Sequence, residues 1–356
     1  MSILPQAFED WTIILKINFI LSVLFVTLAL LLLGTVLYMR ILKNRSEERK
    51  KTLEILLIDF VNNFLFDEEF DKSKNSVNFK NKHLKTPYDS KIAITQILLF
   101  NENLKGESSS LIKELFFGLG LYTFLLKDLK GNAWHKKARA LFVFNKLSVE
   151  VPEPLVVSQL NSKREEARHQ AILYFINSSE NDPLSFLDKI DTPLTLWQQI
   201  GMENAMKAYS GEIPNFSKWL NHKQQSVVIF CIKMIVDHNQ FENILSVQKL
   251  VNHPNARVRR QAIVSLRKME IGEVLPVLIK NFPNEGPKIK QEILKNISKL
   301  GSEEELKMIA PHIHTKDRVL KIEYLKIARY FNPKLPKVKK TILKIYPPEM
   351  NKAKYY

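Results

Sequence analysis

The chain has one cysteine, Cys231, among 356 residues. That excludes an internal disulfide and a multi-cysteine zinc site, and it suits a reducing compartment. Glycine is scarce as well, with 10 in all. So few argue against a chain of tight β-turns and against glycine-rich phosphate loops. Acidic residues fall short of basic ones, 37 against 53, which leaves a formal net charge of +16. Acidic partners follow as candidates: lipid head groups, nucleic acid or an acidic protein. Apolar residues are not in short supply. At 45% hydrophobic and 25% charged, the composition is that of a folded chain.

From Ile17 to Met39 the sequence runs 23 residues without a charge. As a helix it spans roughly 34 Å, enough for a hydrocarbon core of about 30 Å. Asn18, Ser22, Thr27 and Thr35 are mild polar interruptions, and Trp11 and Tyr38 stand near the two expected interfaces. A cleaved signal peptide fits poorly. Glu9 and Asp10 precede the run, and Tyr38-Met39-Arg40 follows where a small-residue cleavage site would stand. The reading is a retained transmembrane helix over 17–39, after a short outside segment over 1–16.

Only Lys16 lies between those two acids and the span, whereas Arg40, Lys43, Arg45, Arg49, Lys50 and Lys51 crowd the far side within 40–51. The positive-inside rule puts the amino terminus outside and the chain from Thr52 onward in the cytoplasm; compactness and the unprocessed anchor make a bacterial inner membrane the expected site. The same six cations are candidates for contact with anionic lipid, at about 1 kcal/mol each near the surface. Their topological role explains them without it.

Beyond the span the chain repeats. Leu129, Leu160, Leu220, Val251, Phe282 and Ile313 each precede a polar turn, and their separations are 31, 60, 31, 31 and 31. The gap of 60 leaves room for one degenerate unit around Leu187 to Gln198. Offsets of 7, 11, 12 and 15 from these anchors trace one face of a helix, and every residue there is apolar except Lys136. Pro154, Pro214 and Pro276 stand six before three anchors, as residues of a first helical turn. Ser302 with Glu305 reads as a capping box. Each 31-residue unit is thus helix, turn, helix, and too small to bury its own apolar face. Units must stack, so the expected fold class is all-α, an α-solenoid.

The stretch His253-Pro254-Asn255-Ala256-Arg257-Val258-Arg259-Arg260-Gln261-Ala262, followed by Ile263 and Leu266, resembles a HEAT repeat. The likeness is to the short HEAT-like type of phycobilin-lyase-like proteins, and it extends more loosely over 129–332. Ile289-Lys290 and Leu320-Lys321 replace its Val-Arg pair. The resemblance implies a fold and a tendency to bind proteins, and no shared chemistry. Residues 52–128 read as an irregular helical cap: a helix over Leu53–Phe66, a lysine-rich loop or hairpin over Lys72–Lys85, then a helical pattern after Pro87. Residues 333–356 read as a basic C-terminal cap and tail.

No catalytic constellation survives inspection, and neither a metal nor a cofactor is expected. His222 and His253 sit at equivalent turn positions, and Cys231 occupies a core phase. Gly118-Leu119-Gly120 lacks the strand, the third glycine and the lysine of a phosphate loop. Glu165-Glu166 and Glu303–Glu305 sit at helix starts, where the helix dipole favours them. The most specific feature is a basic ladder at offset 8: Lys137, Arg168, Arg259, Lys290 and Lys321, with Val228 breaking the series. Stacking would align these about 10 Å apart. They would form either a groove for an acidic partner or a brace between units. Residues 251–356 carry 23 Lys+Arg against 10 Asp+Glu, which raises nucleic-acid binding as the alternative. The membrane anchor, and the lack of aromatics among those basics, count against it. The expected function is a single-pass membrane scaffold or adaptor that binds proteins at the inner face, not an enzyme.

Overall fold

The computed structural model describes residues 12–104, 106–179, 182–313 and 317–334. These contain sixteen α-helices and no strand. The chain divides into two compact units, Met1–Asp128 and Leu129–Tyr356.

In the first unit, α1 runs unbroken over Ile13–Phe66, 54 residues. The separate span, basic segment and following helix expected from the sequence are therefore one element, which begins four residues before Ile17. Between Arg40 and Lys51 there is no Gly or Pro, and Lys, Arg and Glu are good helix formers. From Ile13 to Leu42 every large apolar side chain is exposed, and α1 is long and apolar enough to cross a membrane. The Thr27 hydroxyl donates to the Val23 and Leu24 carbonyls at 3.0 and 2.8 Å, and Thr35 to Leu32 at 2.7 Å. Trp11 lies outside the described residues. Past Arg49 the same helix turns amphipathic. Leu53, Leu57, Phe60, Val61 and Phe64 are buried on one face, against α3 (Pro87–Asn103) and α4 (Glu107–Gly118).

Lys72–Lys85, expected as a loop or hairpin, is corrected to a helix, α2 (Lys72–His83). Asp71 caps it by accepting from the Lys74 amide at 3.0 Å, and Lys80, Lys82 and His83 end it, where cations suit the helix dipole. Only Ser76 and Phe79 on it are buried, so no apolar periodicity marked it in the sequence. The Phe79 ring lies 4.4 Å from that of Phe60, tilted by 34°, and Phe70 meets Phe60 edge-on at 5.4 Å. After α4 the chain bends by 70° into α5 (Leu121–Lys130). Gly120, at φ +69°, makes that bend. The glycine pair therefore serves a turn between helices.

In the second unit seven long helices recur. They are α6 (Trp134–Lys146), α8 (Glu165–Ser178), α9 (Leu196–Ala208), α10 (Gln225–Asp237), α12 (Ala256–Lys268), α14 (Pro287–Leu300) and α16 (Arg318–Phe331). Their starts lie 31 residues apart, with one interval of 29 before α10. Shorter elements separate them: α7 (Glu153–Leu160), α11 (Ile244–Lys249), α13 (Leu275–Asn281), α15 (Glu303–Ile309), and 3-10 turns at Ser185–Lys189 and Phe216–Trp219. α8 lies against α6 and α9, α12 against α10 and α14, and α14 against α16.

All the periodic positions are buried except Lys136, Phe175, Tyr324, Leu325 and Ala328. Three of these exceptions fall on α16, the last described helix. Pro154 and Pro276 do open helices, and Ser302 and Glu305 do form a capping box. Pro214 does not sit in a helical turn. It precedes the 3-10 turn at Phe216, and its carbonyl accepts from Gln240 Nε2 at 2.9 Å.

The degenerate unit is α9. Counting on from Asp191, its face positions are Gln198, Met202, Glu203 and Met206. The anchor is polar, and two of the four face residues are polar but partnered. Glu203 pairs with Lys233 of α10 at 2.5 Å, and Gln198 completes a capping box with Thr195.

Three of the long helices end alike. Ser148, Asn239 and Glu270 adopt φ of 48°, 52° and 62°. The amides after them reach back to Phe144, Ile235 and Leu266 at 2.8, 2.9 and 3.0 Å. These are Schellman ends without the usual glycine. Polar side chains also tie several units to the next. Asn255 donates to Gln225 at 2.6 Å, Asn281 to Asn252 at 2.7 Å, Asn177 to Asn145 at 2.9 Å, and Trp219 Nε1 to Asp188 at 2.7 Å.

Candidate functional site

The ladder residues stand on the first turn of their helices and all five are half-buried. Arg259 gives a bidentate pair to Glu285, Nε to Oε1 at 2.7 Å and Nη2 to Oε2 at 2.8 Å. Its Nη1 donates to the His253 and Pro254 carbonyls at 2.9 and 3.0 Å. The Glu285 carboxylate raises the arginine's pKa still further above its ordinary value through those hydrogen bonds. Arg168 Nη1 likewise donates to the Ser162 carbonyl at 2.7 Å, six residues back, as Arg259 does to His253. Lys290 lies over the Phe282 ring at 5.4 Å. Lys137 and Lys321 share the phase. Both arginines therefore hold turn backbone, and Arg259 reaches the turn that opens α14.

A second cationic group lies beside the ladder. Glu292 on α14 is nearly covered, its side chain 5% exposed, and three cations meet it. Arg267 Nη1 is 2.8 Å from Oε2, while Arg260 Nη2 and Lys295 Nζ lie 3.1 and 3.3 Å from Oε1. Burial alone would raise this carboxyl, but the hydrogen bonds from Arg267, Arg260 and Lys295 outweigh it and hold its pKa below the ordinary carboxylate value. One carboxylate against three cations leaves positive charge over. Of the three, Arg260 lines a cleft of about 510 Å³ between α10, α12 and α14, together with Arg257, Lys288, Ile229, Val264 and Ile289. Arg257 and Lys288 are exposed, and neither joins an ion pair among the described residues.

On α1 the juxtamembrane cations Arg40, Lys43, Arg45, Arg49, Lys50 and Lys51 are all exposed. Arg49 is engaged: its Nη2 is 2.7 Å from Asp89, a fully buried carboxylate that also caps α3 by accepting from the Thr86 amide at 2.9 Å. Lys50 faces Glu54 one turn on at 3.8 Å.

His222 and His253 have the same role in successive units, each Nδ1 accepting the amide two residues on at 3.0 Å. Among the described residues no three His, Cys, Asp or Glu side chains gather as a metal site would require. His314 lies outside the described residues. Cys231 is fully buried on α10, and burial pushes its thiol pKa up, away from the reactive thiolate.

No protein-family model matches the chain, and no curated protein sequence matches it. Among solved structures, the crystal structure of an engineered protein is similar over 67% of this chain and 96% of its own length. The two share 14% identity at a TM-score of 0.27. A likeness of that size leaves fold and function to this chain's own residues.

Proposed function

We propose that the chain is a membrane-anchored scaffold. In this reading α1 crosses the bilayer through Ile17–Met39 with the amino terminus outside. A HEAT-like α-solenoid over 129–332 holds a partner protein at the cytoplasmic face. The observation that carries the reading is the recurrence of seven long helices at near-constant spacing, with five of the six successive pairs packed together. Such an array presents a row of equivalent surfaces, which suits binding an extended partner better than it suits chemistry at one point. The exposed apolar half of α1 supplies the tether: left in water, each of its Leu, Ile, Val and Phe side chains would forgo on the order of 2 kcal/mol of burial.

Membranes from expressing cells, washed with alkaline carbonate and then treated with protease from either side, test it. The chain should resist extraction, and the region after Thr52 should be cut only from the cytoplasmic side. In situ crosslinking should then give discrete protein adducts through 129–332. A soluble chain, a protected C-terminal region, or adducts only to nucleic acid would overturn the scaffold.

A further inference from the structure

The expected binding surface was the ladder, yet its arginines are spent on turn carbonyls and on Glu285. Two residues before the rungs at Arg259 and Lys290, and one residue after Arg259, the chemistry differs. Arg257 and Lys288 project from the starts of α12 and α14 without an ion pair among the described residues, and Arg260 gives Glu292 one bond of the five its guanidinium can make. Arg260 keeps 51% of its side chain exposed. Beneath these cations lie Ile229, Val264 and Ile289, half-buried or buried. The cleft thus offers a basic rim over an aliphatic floor, at a volume of about 510 Å³, within the range of sites that take a few side chains.

We infer that this cleft binds an acidic peptide segment of a protein partner, one that carries a branched aliphatic side chain between carboxylates. The carboxylates pair with Arg257, Arg260 and Lys288 at the rim, where arginine forks match carboxylate geometry. The aliphatic side chain covers Ile229, Val264 and Ile289. A phosphate backbone makes no use of an apolar floor, and a bilayer surface presents head groups in a plane rather than side chains that enter a recess. The inference rests on the scaffold reading and names the partner's chemistry.

The test uses the full chain in nanodiscs of neutral phosphatidylcholine, with a fluorescein-labelled peptide Glu-Asp-Glu-Leu-Asp-Glu read by anisotropy. Binding should saturate. It should weaken about tenfold or more in the double variant Arg257→Glu, Lys288→Glu, whose melting should match the parent because neither residue is buried or paired. Replacing the peptide's leucine by serine should weaken binding as well. Equal binding by parent and variant, or no binding by the parent, overturns the inference. So does a variant whose defect appears only against phosphatidylserine vesicles or duplex DNA, since the occupant is then a membrane or a nucleic acid. The scaffold reading fails separately, by extraction, protection or loss of protein adducts, none of which the double variant alters.

Discussion

Helices α10 and α12 occupy successive places in the array and have little composition in common. α10 reads QSVVIFCIKMIVD and α12 reads ARVRRQAIVSLRK. Five positions are buried in both: Val227 and Val258, Cys231 and Ala262, Ile232 and Ile263, Met234 and Ser265, Ile235 and Leu266. α10 also buries Val228 and Phe230, where α12 places the half-buried Arg259 and Gln261. The repeat therefore constrains one narrow face of each helix, the face every unit must cover, and leaves the flanks free. α10 uses its flanks for more core. α12 uses them for charge, and that charge, with Lys288 of α14, makes the cleft.

The largest expected effect tests whether those five shared positions are equivalent. Cys231 and a cysteine introduced by Ala262→Cys sit at the same phase, and both native residues are 0% exposed. In the native state each should react with an aromatic disulfide reagent at least about a thousandfold more slowly than in urea, because labelling must wait for unfolding. Prompt labelling of either one breaks the equivalence.

Next in size is the charge cluster that only the α12 side carries. Glu292→Gln should lower the unfolding free energy by about 3 kcal/mol, since Arg267, 18% exposed, loses its buried partner. The carboxyl's pKa is below its ordinary value in the fold. Its contribution is therefore complete above the unfolded pKa of about 4.3 and is lost as pH falls through the lower folded value. Urea titrations from neutral to acid pH should show that loss in the parent and not in the variant. A variant as stable as the parent at neutral pH would make the cluster a surface ornament.

The smallest contrast compares Arg259 with Val228 at the ladder phase. Arg259→Ala should cost about 2 kcal/mol, because Glu285, 7% exposed, loses a bidentate partner and two turn carbonyls lose a donor. Val228→Ala should cost about 1.5 kcal/mol by lost burial. Thermal melts of the two variants check it. Unchanged melting in Arg259→Ala would return the ladder to the surface as a free contact for a partner.

Much of this architecture was legible because its signals are local. A run of 23 uncharged residues is visible at once, and a period of 31 needs only the apolar face to recur. α9 showed only as a degenerate unit because Asp191, Gln198 and Glu203 break the apolar pattern, and only Lys233, on the next helix, shows why a glutamate is tolerated there. α2 escaped because a helix with two buried residues has no stripe to read. The ends at Ser148 and Glu270 carry neither glycine nor asparagine, so nothing in their sequence marks a left-handed residue.

The binding surface divides along the same line. Sequence alone determined that the chain is all-α, that α1 is apolar over its first half, that the second unit repeats every 31 residues, and that cations gather toward the C-terminal end, because these follow from residue type and spacing. Tertiary structure decided which cations are engaged. Arg259 and Arg260 are neighbours of the same type, yet one is closed in a bidentate pair with Glu285 and the other, held to Glu292 by one bond, keeps half its side chain open on a cleft. A side chain's exposure depends on what the adjoining helices place opposite it, and that partner lies one repeat away along the chain.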